Sequence, residues 1–148
     1  MGYYLRAFVG KKEDLKPIVE AYHEAKIIPL AQGVSLVPHT EALYDQINNF
    51  ESSANIGSFE FLTVNIENKI LKIIDTKAIA YVEADYFGGE GGQVGIIWTG
   101  GTRIAEFKYG QDVINAVSKH FGVRADKGKD EFATLGFGRH RNTADWLD

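Results

Sequence analysis

Glu83 and Asp85 stand two residues apart in the run Ala78 to Phe87, whose residue types suit an extended strand, so both carboxylates fall on one face. That face carries Ile79, Tyr81, Glu83, Asp85 and Phe87, and the opposite face Ala80, Val82, Ala84 and Tyr86. Two acids at this spacing repel each other when partly buried. One pKa then rises, and the pair can serve as acid and base or hold a hard cation. A solvated face, or an ion pair with Arg6 or Arg103 from a neighbouring strand, explains the same residues without any chemistry.

The second candidate is the turn Gly88-Gly89-Glu90-Gly91-Gly92. Glycine-rich turns cradle phosphate when a helix follows, but here a strand follows and Glu90 would repel an anion. A hairpin turn, acidic and suited to touching a partner protein, is the better reading. The third is Gly136-Phe137-Gly138-Arg139-His140-Arg141, where two arginines flank a histidine. Such a group could hold an anion with His140 as acid, base or ligand, or its arginines could pair with Glu83, Asp85 or Glu131. Glu83, Asp85, Glu90, Arg139, His140 and Arg141 therefore form the candidate functional cluster.

Other chemistries find little support. There is no cysteine, which removes disulfides, thiolate catalysis and cysteine-ligated zinc. His23, His39 and His120 lie far apart without metal-ligand spacing, and no serine sits in a nucleophile elbow. Neither a metal nor a cofactor is expected. A net charge of −4 lacks the positive field that nucleic acid or an anionic membrane attracts. No stretch reads as a signal peptide or a membrane span, so the expected location is the cytoplasm.

The elements that must position these residues follow from period and punctuation. With 148 residues, 45% hydrophobic and 24% charged, the chain is expected to be a single globular domain, 1–148. Tyr3 to Val9 reads as a strand. Lys11 to Lys26 reads as a helix starting close to Pro17, since proline suits only the first turn. Ile27 to Ala31 and Val34 to Val37 flank the turn Gln32-Gly33. Thr40 caps a second helix with Leu43 and Ile47 on its apolar face, and Asn48 to Gly57 is a polar loop. Phe59 to Ile74 has the spacing of a third helix, while its branched residues keep a strand reading open. A β-meander follows: Ala78 to Phe87, Gln93 to Trp98 and Arg103 to Phe107, joined by glycine turns. A fourth helix carries Val113, Ile114, Val117 and Phe121. The tail from Val123 to Asp148 has little period but is anchored by Phe132, Leu135, Phe137, Trp146 and Leu147. The fold class is α+β: a mostly antiparallel sheet with a central β-meander and three to four helices, packed on one face.

Two stretches, Ala80 to Gln93 and Leu135 to Trp146, resemble a family of small uncharacterised bacterial α+β proteins. Proteins of this size and make-up are loosely similar to toxin-immunity proteins. The resemblance implies no catalytic residues, but suggests that the acidic strand and the Arg-His-Arg tail belong to one site or network. The leading expectation is a cytoplasmic bacterial protein-binding domain, of the immunity type, that uses the acidic loops at Asn48 to Gly57 and Gly88 to Gly92 against a basic toxin. The alternative is a small enzyme or ligand-binding domain with Glu83, Asp85, Arg139 and His140 around one pocket. A homodimer formed through an exposed strand edge is the third.

Overall fold

The chain alternates between extended and helical segments around one sheet. The computed structural model describes residues 2–148. Six strands form a single antiparallel sheet: β1 (Tyr3–Lys11), β2 (Ile28–Pro29), β3 (Val34–Pro38), β4 (Ala78–Phe87), β5 (Glu90–Thr99) and β6 (Thr102–Gly110). Their spatial order is β2-β3-β1-β4-β5-β6, so β4, β5 and β6 are the expected meander and β1 is a central strand. The helices are α1 (Lys12–Ala21), α2 (Glu41–Asn48), α3 (Val64–Ile74), α4 (Val113–His120) and α5 (Glu131–Leu135).

Both faces of the sheet are covered, which corrects the expectation of helices on one face only. Phe8, Tyr81, Ile96 and Trp98 pack with Leu15, Ile18, Leu43, Ile47, Ile66 and Ile70 from α1, α2 and α3. On the other side Leu5, Ala7, Val82 and Ile97 pack with Val113, Val117, Leu135, Phe137 and Trp146. The reason lies in the strands themselves. Leu5 to Gly10 and Ile79 to Ala84 are buried at every position, and a strand apolar on both sides must be covered on both.

Paired positive-φ residues set the turns. Gln32 and Gly33 (φ 54° and 77°), Gly88 and Gly89 (63° and 82°), and Gly100 and Gly101 (62° and 83°) each form a two-residue reversal that matches strand twist. The acidic turn is therefore shorter than the sequence suggests, because Glu90 already pairs with Phe87 as the first residue of β5. Pro17 lies inside α1, which starts at Lys12 and ends at Ala21, five residues before Lys26. α3 starts at Val64 rather than near Phe59, where the Thr63 hydroxyl accepts from the Ile66 N–H (3.1 Å) and caps the first turn. The tail forms α5 and two short 3₁₀ turns, Phe137–Arg139 and Thr143–Leu147, which close the second core. Among the described residues no helix is long and apolar enough to cross a membrane.

Candidate functional site

The register of the two central strands decides what surrounds Glu83 and Asp85. Tyr4 pairs with Asp85, Arg6 with Glu83, and Phe8 with Tyr81, so these six side chains share one face. On the other flank of β4, Gly92 of β5 stands opposite Asp85. Its missing side chain leaves room for the Tyr109 ring, since a Cβ there would lie 2.5 Å from a ring carbon. Asp85 thus sits exposed between two tyrosines, while Glu83, one strand period deeper, is buried.

Glu83 is the anchor of a loop. One carboxylate oxygen accepts the Glu60 N–H (2.8 Å); the other accepts the Phe61 N–H (2.9 Å) and the Tyr81 hydroxyl (2.7 Å). These bonds pin the segment between α2 and α3 onto the sheet. Burial desolvates the Glu83 carboxylate and lifts its pKa above the ordinary glutamate value, despite the three donors that favour the ionised form. Burial also drives the Tyr81 phenol well up, and the adjoining carboxylate adds to that shift.

Arg6 faces Glu83 across the strand pair but is not in salt-bridge contact with any acid among the described residues. Its guanidinium lies over the Phe61 ring, 3.7 Å from the centroid, and 5.0 Å from that of Tyr4. Only 8% of Arg6 is exposed, and its Nε has no hydrogen-bond partner among the described residues. The cleft lined by Tyr4, Arg6, Glu60, Glu83, Asp85 and Tyr109 measures about 40 Å³. That space admits a few waters and no substrate. Beneath it His39 is fully buried and donates from Nε2 to the Phe61 carbonyl (2.9 Å), with its pKa pushed down to about 3 by burial. The ring is neutral and works as core.

The tail takes a different side. The Arg139 guanidinium lies 5.5 Å from the Trp146 ring centroid, and the His140 ring packs edge-on against Trp146 at 4.8 Å. Trp146 belongs to the core on the face opposite Glu83. Arg139 and His140 line no pocket with Glu83; they pack on Trp146 just before the tail joins the edge of β1 through a parallel bridge between Asn142 and Tyr4. Arg141 is placed otherwise. Its carbonyl accepts the Tyr4 N–H (2.7 Å), and Thr143 Oγ1 accepts the Arg6 N–H (3.1 Å), where β3 no longer pairs with β1. Arg141 lines an open cleft of about 450 Å³ together with Asp85, Tyr3, Tyr4 and Phe87.

The ion pairs offered as alternatives are distributed differently from expectation. Arg103 binds Glu67 of α3 with two nitrogens (2.6 and 2.7 Å), and Trp98 Nε1 donates to the same carboxylate (2.8 Å). Glu131 lies 4.0 Å from Lys119, not beside the tail arginines. Glu90 is exposed at the hairpin end next to Phe87, which is 80% exposed. Among the described residues, none of Glu60, Asp85, Glu90, Asp112 and Asp130 is in an ion pair, and no group of three or more His, Asp or Glu is close enough to hold a metal.

Sequence reasoning missed Glu60, Tyr109, Asp112 and Asp130. A polar residue flanking each glycine turn or helix start was the signal available, and it specifies no direction. No protein-family model, no curated protein and no solved structure matches the chain.

Proposed function

We propose that the chain is a protein-binding domain for a basic partner, of the kind that neutralises a toxin by covering it. One observation carries this reading. The end of the sheet formed by the start of β1 and the β4–β5 hairpin gathers Glu60, Asp85 and Glu90, all exposed and none ion-paired among the described residues, beside Tyr4, Tyr109 and Phe87. Unneutralised carboxylates steer a cationic partner and fix its orientation, while exposed tyrosine and phenylalanine supply contact area at low entropic cost. Tyr109 and Phe87 are 61% and 80% exposed and supply apolar area beside these acids for a partner to cover.

The edges of the sheet are poorer docking surfaces. β2 has two residues and ends in Pro29; β6 carries Arg103 and Lys108, and its pairing with β5 has two register shifts. Short strands, proline, bulges and edge charges all oppose strand addition, so a second copy is not favoured there.

The test uses the products of the genes adjoining this one, purified and titrated calorimetrically against the full chain. A basic product should bind, and more weakly as salt rises. The variant Glu60→Lys/Asp85→Lys/Glu90→Lys should bind about a hundredfold more weakly at an unchanged melting temperature. Equal affinity for the reversed variant, or binding that ignores salt, would overturn the assignment.

A further inference from the structure

Behind the acidic end, on the face covered by α4 and α5, lies a cleft of about 410 Å³, within the size range of small-molecule sites. Its walls include Tyr3, Tyr86 and Phe132, and its polar lining is fixed by hydrogen bonds. Gln93 Nε2 donates to the Tyr86 hydroxyl (3.1 Å), which donates to Gln111 Oε1 (2.6 Å); Gln111 Nε2 in turn donates to the Gly91 carbonyl (2.8 Å). Tyr3 is held by its hydroxyl on the Phe137 carbonyl (2.8 Å). Walls locked in this way need no reordering when a guest enters.

The cleft holds charges of both signs that do not neutralise one another. Asp112 and Asp130 each accept from Asn115 Nδ2 at 3.3 Å, and Asp130 also caps α5 through the Ala133 N–H (2.8 Å). Arg141 lines the same cleft. With Tyr3 and Tyr86 it also lines the adjoining cleft near Asp85, whose lining does not include Asp112, Asn115 or Asp130. None of the three is in an ion pair among the described residues.

We propose that this cleft binds a small zwitterion of the α-amino-acid type. The ammonium group is received by Asp112 and Asp130, the carboxylate by Arg141, and an apolar side chain by Tyr3, Tyr86 and Phe132. A plain amine would leave Arg141 unpaired, and a plain acid would meet two carboxylates; a guest with both charges pairs with both at once. This site is separate from the proposed protein-binding surface and stands or falls without it.

The experiment titrates the full chain with L-phenylalanine by calorimetry, alongside phenethylamine, which lacks the carboxylate, and N-acetyl-L-phenylalanine, which lacks the ammonium charge. L-phenylalanine should bind at least about tenfold more tightly than either analogue. Arg141→Ala should abolish the preference over phenethylamine, and Asp112→Asn the preference over the acetylated compound. Both variants should keep the fold, since Arg141 holds the sheet through its backbone and Asn tolerates the left-handed backbone that Asp112 adopts (φ 63°). No saturable binding at millimolar concentration, equal binding of the three compounds, or variants that behave like the wild type would each overturn the proposal.

Discussion

Two glutamates are buried on the same side of the sheet, and they are stabilised by different means. Glu67, on α3, is held by the Arg103 guanidinium and the Trp98 indole. Glu83, on β4, is held by two backbone amides and a phenol, with Arg6 opposite but directed onto Phe61. Desolvation raises the pKa of both. At Glu67 the bonds from Arg103 and Trp98 outweigh it and the net shift is downward; at Glu83 the neutral donors do not, and the net shift is upward. A full opposite charge secures a helix to an edge strand. Dipoles alone secure a loop, and they leave a negative charge lying beneath the acidic end of the sheet.

The largest expected effect separates these two anchors. Glu83→Ala strands the Glu60 and Phe61 amides and the buried Tyr81 hydroxyl, so it should cost about 3–5 kcal/mol in urea unfolding. Glu67→Ala strands only the Trp98 indole beyond reach of water. Its other partner, Arg103, is about a third exposed and can be solvated, so about 2 kcal/mol is expected. Hydrogen exchange adds a local readout. Amides from Asn49 to Thr63 should lose protection in the first variant and keep it in the second. If Glu67→Ala proved the more damaging, the loop-anchor role of Glu83 would be lost.

The difference in sign between the two pKa shifts gives the next test. Glu67 titrates below its unfolded value, so its contribution is present above that value and fades as pH falls through the folded pKa. Glu83 titrates above its unfolded value, so stability is fully present below that value and falls as pH rises through the folded one. The stability difference between wild type and Glu67→Gln should therefore grow with rising pH across the carboxylate range. The difference between wild type and Glu83→Gln should shrink. Two curves sloping the same way would mean that the protein neutralises both groups alike.

How much of this was legible beforehand follows from which interactions are local. Parity along β4 placed Glu83 and Asp85 on one face, and the glycine turns marked three reversals because turn chemistry resides in adjacent residues, although the turn read as Gly88 to Gly92 closes at Gly88-Gly89. The start of α3 was misread because Phe59 and Leu62 continue the helical spacing although they belong to the loop that Glu83 pins. Pro17 misled in the other direction: tertiary packing of Leu15 and Ile18 holds α1 helical on both sides of it. The stacking of Arg6 on Phe61 joins residues far apart in sequence and leaves no pattern in either segment. The same is true of the tail, which bridges to the start of β1 and leaves Arg139 and His140 on Trp146 and Arg141 in the cleft that Asp85 lines.

The smallest effect is the sharpest test of burial as the cause of these differences. Asp85 follows Glu83 by two residues on the same strand face, yet it is exposed and makes no ion pair among the described residues. Water already solvates its charge, so Asp85→Asn should change unfolding stability by no more than about 0.5 kcal/mol. Its effect belongs to binding instead. Removing one of several unneutralised carboxylates should slow association with a cationic partner and flatten its salt dependence, while leaving dissociation nearly unchanged. A stability loss comparable to that of Glu83→Ala would place Asp85 in the anchor of the loop. The face would then be a structural network throughout, with no charge left to spare for a partner.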